Sequence, residues 1–387
     1  MDAPPISNNV ASSIDRKADA LRCEEAAWDA ALFAQWRDLE RRSLDPTIFQ
    51  TADWCCAWVD ARKACGAAET PRIVTISRGS SLVLLWPLAV RRLSFFRVLH
   101  SLGEPATQYA DALIDRGEDQ QALLKMAWET IQSWPDIDAI ELRRIRDGTA
   151  VAKQLLRHRV ERTRASAPVL DFRSLDAGSA EGQRTSRTRQ ALRRHQRLLS
   201  EHGPVTFELV ERPEEQCELL DQAFSLKQTW QKQKSSVSTG YAHGASLGCL
   251  QRLARSGGLL AVCLRSGPEI AAVEIGALRQ RHYWSLVQSY DLRFSRHAPG
   301  RLLFWHLLKR CPELSIDVFD FLAPADRHKL EWSNKEVPIA DYLVAVSLVG
   351  YLAVFYLTWV RPLLRECYRR LPAGLGQHAS GLLRRMN

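Results

Sequence analysis

Between residues 259 and 321 the chain alternates apolar runs and turn signals in an order that few folds can use. Three runs, LLAVCLR (259–265), IAAVEIGAL (270–278) and HYWSLVQS (282–289), are separated by Ser266-Gly267-Pro268 and Arg279-Gln280-Arg281. Short apolar runs joined by such tight turns predict an antiparallel three-strand meander. The third run leads through YDLRFSRHAPGRLLF (290–304) into a helix at 300–310 and a strand at 316–321. A helix fed by the third strand of a meander presents its first-turn amides beside the strand end, and such a terminus binds phosphate. Pro299 suits the first helical position because an N–H there would have no helical partner, and Gly300 lets an anion approach the backbone. Arg296 and Arg301 add cations where a pyrophosphate would lie. A helix that simply begins at a proline and carries solvated arginines is the plain alternative.

The first half runs through a similar order. Leu32, Trp36 and Leu39 keep helical spacing, and DWCCAWVDARK (53–63) forms a second helical stretch. RIVTIS (72–77) and LVLLWPL (82–88) read as a hairpin about Gly79, followed by strands at 97–102 and 109–114, a helix at 118–133 and a strand at 137–142. In the second half, helices at 186–199 and 214–234 precede the meander. A chain of 387 residues exceeds one compact core. The expected fold class is therefore mixed α/β (α+β), with two domains in tandem, each a mostly antiparallel sheet flanked by helices. The expected boundaries are a leader at 1–24, domains at 25–165 and 166–347, and a basic C-terminal helix or tail at 348–387. The stretch ERTRASAPVLDFRSLDAGSAEG (161–182) reads as the linker.

The 53 basic residues against 44 acidic ones give a net charge of +9, which favours an anionic partner such as a phosphorylated cofactor, an acidic lipid surface or a nucleic acid. Nucleic acid is set aside because no aromatic stacking platform accompanies the basic residues. Nine cysteines without a CxxC pair or zinc-like histidine spacing predict reduced thiols and no metal. The N-terminus lacks a secretory pattern, so a cytoplasmic location is expected. Residues 342–360 (YLVAVSLVGYLAVFYLTWV) carry no charge, which meets the lower limit for a membrane span. A single span would place the arginine-rich tail outside, against the positive-inside tendency. Two readings remain: a buried strand to Val346 followed by a helix from Tyr351, or peripheral attachment to the inner membrane face through the basic tail.

Several scattered segments together resemble a known family. They are Phe49-Gln50 with Trp54 and Trp58, Trp86-Pro87-Leu88, Gly103 followed by Tyr109 and Asp111, the helix TSRTRQALRRHQRLLSEHG (185–203), Lys227 with Trp230, Ala298-Pro299-Gly300, and Phe319-Asp320-Phe321 leading to Lys329 and Trp332. Over residues 28–335 the chain resembles the CelD/BcsL-type acetyltransferases. These are a bacterial group linked to cellulose and other exopolysaccharide synthesis, built as two GNAT-like domains and related in plan to the Fem-type transferases. The resemblance implies an acyltransferase that moves an acetyl or other acyl group from acyl-CoA to an amine or hydroxyl of a sugar, glycan precursor or other small molecule. A non-catalytic GNAT-like scaffold or membrane-surface component of a polysaccharide assembly is the alternative. Two departures stand out. The Arg296-to-Arg301 loop has one glycine where the superfamily usually has two, and Ala325 and His328 replace a glycine and a tyrosine, while Lys329 is retained.

In GNAT-like sites the thioester lies between two splayed strands, here HYWSLVQS and IDVFDF. Cofactor contacts are then expected from Val287, Ser289, Arg296, His297, Ala298, Pro299, Gly300 and Arg301, with an oxyanion-binding amide between 287 and 289. Glu274, the one acid within IAAVEIGAL, is a candidate base with a raised pKa, or an acid on a solvent-facing strand position. Asp320 and Lys329 either orient an acceptor or form a salt bridge. Tyr109 and Asp111 are assigned to an acceptor groove, and Lys227 and Trp230 to the acceptor as well. Trp54, Trp58 and Trp230 stack on a sugar or pack in the core. Arg189, Arg193 and Arg197, four apart, form one stripe of their helix and suit either an anionic ligand or a solvated face.

Overall fold

The computed structural model describes residues 20–67, 69–93, 95–157, 161–175, 185–234 and 244–364. The expected leader before residue 20, the linker at 176–182 and the tail beyond 364 lie outside them. In chain order the elements are β1 (Leu21–Ala26), α1 (Ala30–Arg42), α2 (Ala52–Ala64), β2 (Thr70–Arg78), β3 (Ser81–Leu93), β4 (Phe96–Ser101), β5 (Leu113–Ile114), α3 (Gln120–Gln132), β6 (Ala139–Arg146) and α4 (Ala150–Leu156). There follow β7 (Glu161–Asp171), α5 (Ser186–Ser200), β8 (Val205–Val210), α6 (Pro213–Lys234), α7 (Gly244–Arg255), β9 (Leu260–Ser266), β10 (Glu269–Arg279), β11 (His282–Tyr290), α8 (Pro299–Arg310), β12 (Val318–Asp320), α9 (Arg327–Leu330), β13 (Lys335–Ala345) and α10 (Leu348–Phe355). The chain divides into two compact units, one of Met1–Cys55, Glu69–Arg164 and Ala340–Asn387, the other of Cys56–Ala68 and Ala165–Ile339. The fold is mixed α/β, and each unit is a mostly antiparallel sheet flanked by helices.

In the first unit the strand order is β1-β2-β3-β4-β6-β13, with β5 beside β3. The β2–β3 hairpin closes between Arg78 and Ser81, where Gly79 takes a positive φ of 59° that glycine adopts without strain. The core gathers Trp86 and Trp128 with Leu84, Leu124 and Ile140. Four expectations change here. Leu21–Glu24, placed in the leader, belong to β1, which pairs with β2 and sets Cys23 opposite Ile76. The strand expected at 109–114 shortens to Leu113–Ile114, leaving Tyr109 and Asp111 in the preceding loop. Half of the linker stretch is β7, whose Ala167, Val169 and Leu170 are buried. The boundary expected at 347 falls at 339/340, because Ala340, Tyr342 and Val344 are part of the first unit's core.

In the second unit the order is β7-β12-β11-β10-β9-β8. The helix α7 and the edge strand β8 were not expected from the sequence. Residues 56–68, expected in the first domain, join this unit, where Ala61 of α2 lies against Gly248 of α7. The meander, its turns and the following helix appear as predicted. The β10–β11 turn carries Gln280 and Arg281 at φ of 47° and 65°, and the ladder starts at Arg279 opposite His282. Its register shifts by one between Ile275 and Gly276, a β-bulge. Only glycine fits there: a Cβ on Gly276 would lie 2.2 Å from the Trp284 carbonyl oxygen and 2.4 Å from the Tyr283 ring.

The two units share a further feature. Strands β4 and β6 run parallel over three pairs ending at His100–Glu141, and β11 and β12 run parallel over three pairs ending at Trp284–Asp320. In each unit the intervening helix, α3 or α8, makes the crossover that a parallel pair requires.

Candidate functional site

Beyond Trp284, strand β11 continues for six residues to Tyr290 while β12 stops at Asp320. The two strands therefore part, and the cavity of the second unit lies beside the part of β11 that runs on alone. It has a volume of about 410 Å³ and is lined by residues of β10, β11, α6, the turn before α8, α8 itself and α9. That size is within the range of small-molecule sites.

Helix α8 supplies the electropositive wall. Pro299 is its first residue, and Ala298, at φ 49° and ψ 50°, precedes it without any side-chain cap. The amides of Gly300 and Arg301 belong to the first turn and have no helical acceptor. Pro299, Gly300 and Arg301 line the cavity, as does Ala298. The Arg301 guanidinium lies 3.3 Å from the Glu331 carboxylate. A Cβ on Gly300 would meet only the Tyr290 ring, at 4.0 Å, so the approach to this terminus is open. The matching helix of the first unit is closed: the Asp119 carboxylate caps α3 by accepting from the amides of Gln121 and Ala122 at 3.0 and 3.1 Å. An anion already occupies that terminus, and it belongs to the chain.

Glu274 supplies the opposite character. It is 1% exposed and lines the cavity from β10. This overturns the solvent-facing reading, and the bare Cα of Gly276 leaves room for the Tyr283 ring to cross it and donate its hydroxyl to Glu274 Oε1 at 3.1 Å. Glu274 Oε2 is buried without a hydrogen bond. Burial pushes the carboxyl up to about 8, against the pull of Ser285, Tyr283, the Lys329 ammonium and Gln288. Burial and the neighbouring carboxylate in turn push the Tyr283 phenol well above its ordinary value.

Lys227 and Trp230 from α6 also face the cavity, with the Lys227 ammonium 4.9 Å from the Trp230 ring centroid. Burial lowers the Lys227 pKa, partly countered by Asp326. Ser289 lines the cavity too, although its hydroxyl donates to the Ala223 carbonyl at 2.7 Å.

Other expected site residues lie elsewhere. Val287 is buried opposite Ile275 and does not line the cavity. Arg296 is exposed on the turn before α8, and His297 points to His202, with their Nε2 atoms 3.3 Å apart. Asp320 is buried and accepts from the Leu322 amide at 2.8 Å, and its other oxygen lies 3.6 Å from His282 Nε2. The Lys329 ammonium donates to the carbonyls of Leu322 and Pro324 at 2.9 and 3.2 Å, which fixes the segment after β12. Burial lowers its pKa against the pull of Asp326, Asp320 and Glu274. Tyr109 and Asp111 are buried in the first unit. Arg146 stands over the Tyr109 ring at 5.6 Å and bonds Asp111 at 3.4 Å. Trp54 is a core residue whose indole donates to Thr107 at 3.1 Å, and Trp58 is fully buried. On α5, Arg193 and Arg197 are exposed and Arg189 is half-buried. Among the described residues no group of three or more His, Cys, Asp or Glu is placed to hold a metal ion.

Sequence reasoning passed over Gln288, Tyr283 and Asp326, and noted His328 only as a departure. Gln288 stands opposite Glu274 in the ladder. An unbulged hairpin counted back from the turn would put Val287 there, so the bulge hid it. His328 lines the cavity with its ring 5.7 Å from Phe304, and burial lowers its pKa.

Residues 186–330 match the family described as Acetyltransferase (GNAT) domain. Among solved structures, the crystal structure of FemX aligns with a TM-score of 0.60 at 10% identity, covering 87% of this chain and 99% of that one. A conserved protein of unknown function from Bacteroides thetaiotaomicron gives 0.52 at 11%, covering 85% and 100%. L-PGS from Bacillus licheniformis gives 0.51 at 12%, covering 84% and 95%. Likeness at these identities is one of fold. No curated protein matches the chain. Residues 186–330, within the second unit, are thus similar to GNAT acetyltransferase domains, a family whose members use an acyl-CoA co-substrate.

Proposed function

We propose that the GNAT domain of the second unit transfers an acetyl or closely related acyl group from acyl-CoA to an amine or hydroxyl. The observation that carries this reading is the meeting, in one cavity, of the uncapped start of α8 with the buried carboxyl of Glu274. The pyrophosphate of acyl-CoA suits the amides of Gly300 and Arg301 and the Arg301 guanidinium, since a helix start left without a cap favours an anion. The thioester then extends along the unpaired edge of β11, where a strand amide stabilises the developing oxyanion. The acceptor nitrogen or oxygen attacks the thioester carbonyl carbon, its proton passes to Glu274, and the C–S bond breaks to release CoA. A base with a pKa of about 8 is matched to such a transfer near neutral pH. Lys227 and Trp230 bind the acceptor, the ring offering a flat apolar face and the ammonium a hydrogen-bond donor.

The resemblance to the CelD/BcsL group supports a sugar or glycan-precursor acceptor and a role in exopolysaccharide or cellulose synthesis. Calorimetry with acetyl-CoA tests the central claim, using the protein as purified and the Gly300→Asp variant. The site has room for that side chain, and a carboxylate at the start of a helix stabilises the helix. Saturable binding that weakens by at least about tenfold in a variant with unchanged melting temperature is expected, since the carboxylate fills the anion position. Absence of binding by the parent protein would refute the proposal and return the chain to the scaffold reading.

A further inference from the structure

The last described helix is built inside out. Ser347 caps α10, its hydroxyl accepting from the Gly350 amide at 3.0 Å, and the helix continues through one π turn, Tyr356–Val360, to residue 364. Its buried stripe is Gly350, Ala353, Leu357 and Arg361, at helical spacing. The fit at Gly350 is so close that a Cβ would lie 1.8 Å from the Asp138 carbonyl oxygen. Small residues and Leu357 thus face the protein, and most of the large apolar ones face outward. Leu348, Tyr351, Leu352, Phe355, Trp359 and Leu363 are each 58 to 89% exposed and fall on one side of the helix. Eight of the twelve exposed large hydrophobics among the described residues lie within 348–364. A further one, Phe95, lies against Phe96 with its ring tilted, and Phe96 in turn packs on Tyr356. An apolar patch of this kind marks a surface that meets a partner.

We propose that this face docks on the surface of an anionic phospholipid bilayer. Two observations favour a bilayer over a second copy of the chain. First, residues 361–387 carry six arginines against one glutamate, directly after a run of nineteen uncharged residues. An acidic headgroup layer engages both parts at once, whereas a second copy of a chain with net charge +9 offers the arginines no complement. Second, Tyr351 and Trp359 stand on the exposed side, and such rings prefer the headgroup level. No helix of the described residues is long and apolar enough to cross a membrane, and the contact proposed is one of lying on the surface.

Co-sedimentation of the full chain tests this, using vesicles of phosphatidylcholine with phosphatidylglycerol and vesicles of phosphatidylcholine alone. The full chain should pellet with the anionic vesicles. The doubly substituted Phe355→Asp, Trp359→Asp protein should lose at least about tenfold in partitioning at an unchanged melting temperature, because both side chains are exposed. Replacing Arg365, Arg369 and Arg370 together by alanine should weaken the preference for anionic over neutral vesicles. Failure of the parent chain to pellet with either vesicle would overturn the proposal, as would equal binding by the double variant. A doubled mass in light scattering that the double substitution halves, without vesicle binding, would assign the face to a second copy. A lowered melting temperature in the double variant would show that the chain's own segment covers the face. Acetyl-CoA binding is measured separately and is independent of every one of these outcomes.

Discussion

Glu274→Gln removes a charge from a place where charge is costly and leaves the shape of the site intact. The amide oxygen can still accept the Tyr283 hydroxyl that now bonds the carboxylate at 3.1 Å. In the folded protein the carboxyl is raised from 4.5 to about 8, with burial the leading cause. Between those values the folded state holds a proton that the unfolded chain has released. Stability is therefore complete below about pH 4.5 and is lost as pH rises through about 8. At about 1.4 kcal/mol per pH unit, the full window amounts to about 5 kcal/mol, or about 3 if some water reaches the cavity wall. The glutamine variant has nothing to ionise. Urea denaturation from about pH 5 to about pH 9 should show the two proteins nearly equal at the acid end, with the variant more stable by about 3 to 5 kcal/mol at the alkaline end. The acyl-transfer rate should move the other way, falling about 10²- to 10⁴-fold and losing its rise with pH near 8. A stability difference that stays constant across the range would refute the reasoning, because the carboxyl would then titrate alike in both states.

The two tight glycines make further predictions. Gly276→Ala places a methyl group against the Trp284 carbonyl and the Tyr283 ring, so a loss of about 2 kcal/mol or more in chemical denaturation is expected. Tyr283 should also be displaced from Glu274, which a shifted pH–rate midpoint would report. Gly350→Val drives a side chain into the Asp138 carbonyl, and limited proteolysis should then cut near residue 347 much faster than in the parent protein.

The parts of the fold that could be read from the sequence are those fixed by local chemistry. The meander announced itself through its turns, and Pro299 marked the start of α8 because only the first helical turn tolerates it so well. Strand β8 was missed because it lies at the sheet edge, where VTFELV is half exposed and carries Glu208 on one face. Residues 340–345 were assigned to the other unit because an apolar strand does not reveal in which core its side chains will lie. Glu274 was recognised as a candidate, yet strand alternation does not tell which face is covered, and no spacing rule supplies the β10–β11 bulge. The same bulge moved Gln288 to its side and took Val287 away. Arg296 and His297 sit next to Pro299 in sequence but on the turn that leads into the helix, and only side-chain direction separates them from Arg301. Lys329 proved to be a clamp on two carbonyls, a role that its charge alone does not disclose.

The contrast between Asp119 and Ala298 bears on how many acyl-CoA molecules one chain can hold. A carboxylate attached to the backbone one residue before a helix has an effective concentration that no free phosphate in the cell approaches. One helix start thus holds the chain's own carboxylate, while the other has no side-chain cap. On the proposed reading, a titration with acetyl-CoA should therefore saturate at a single equivalent per chain, taken up by the second unit.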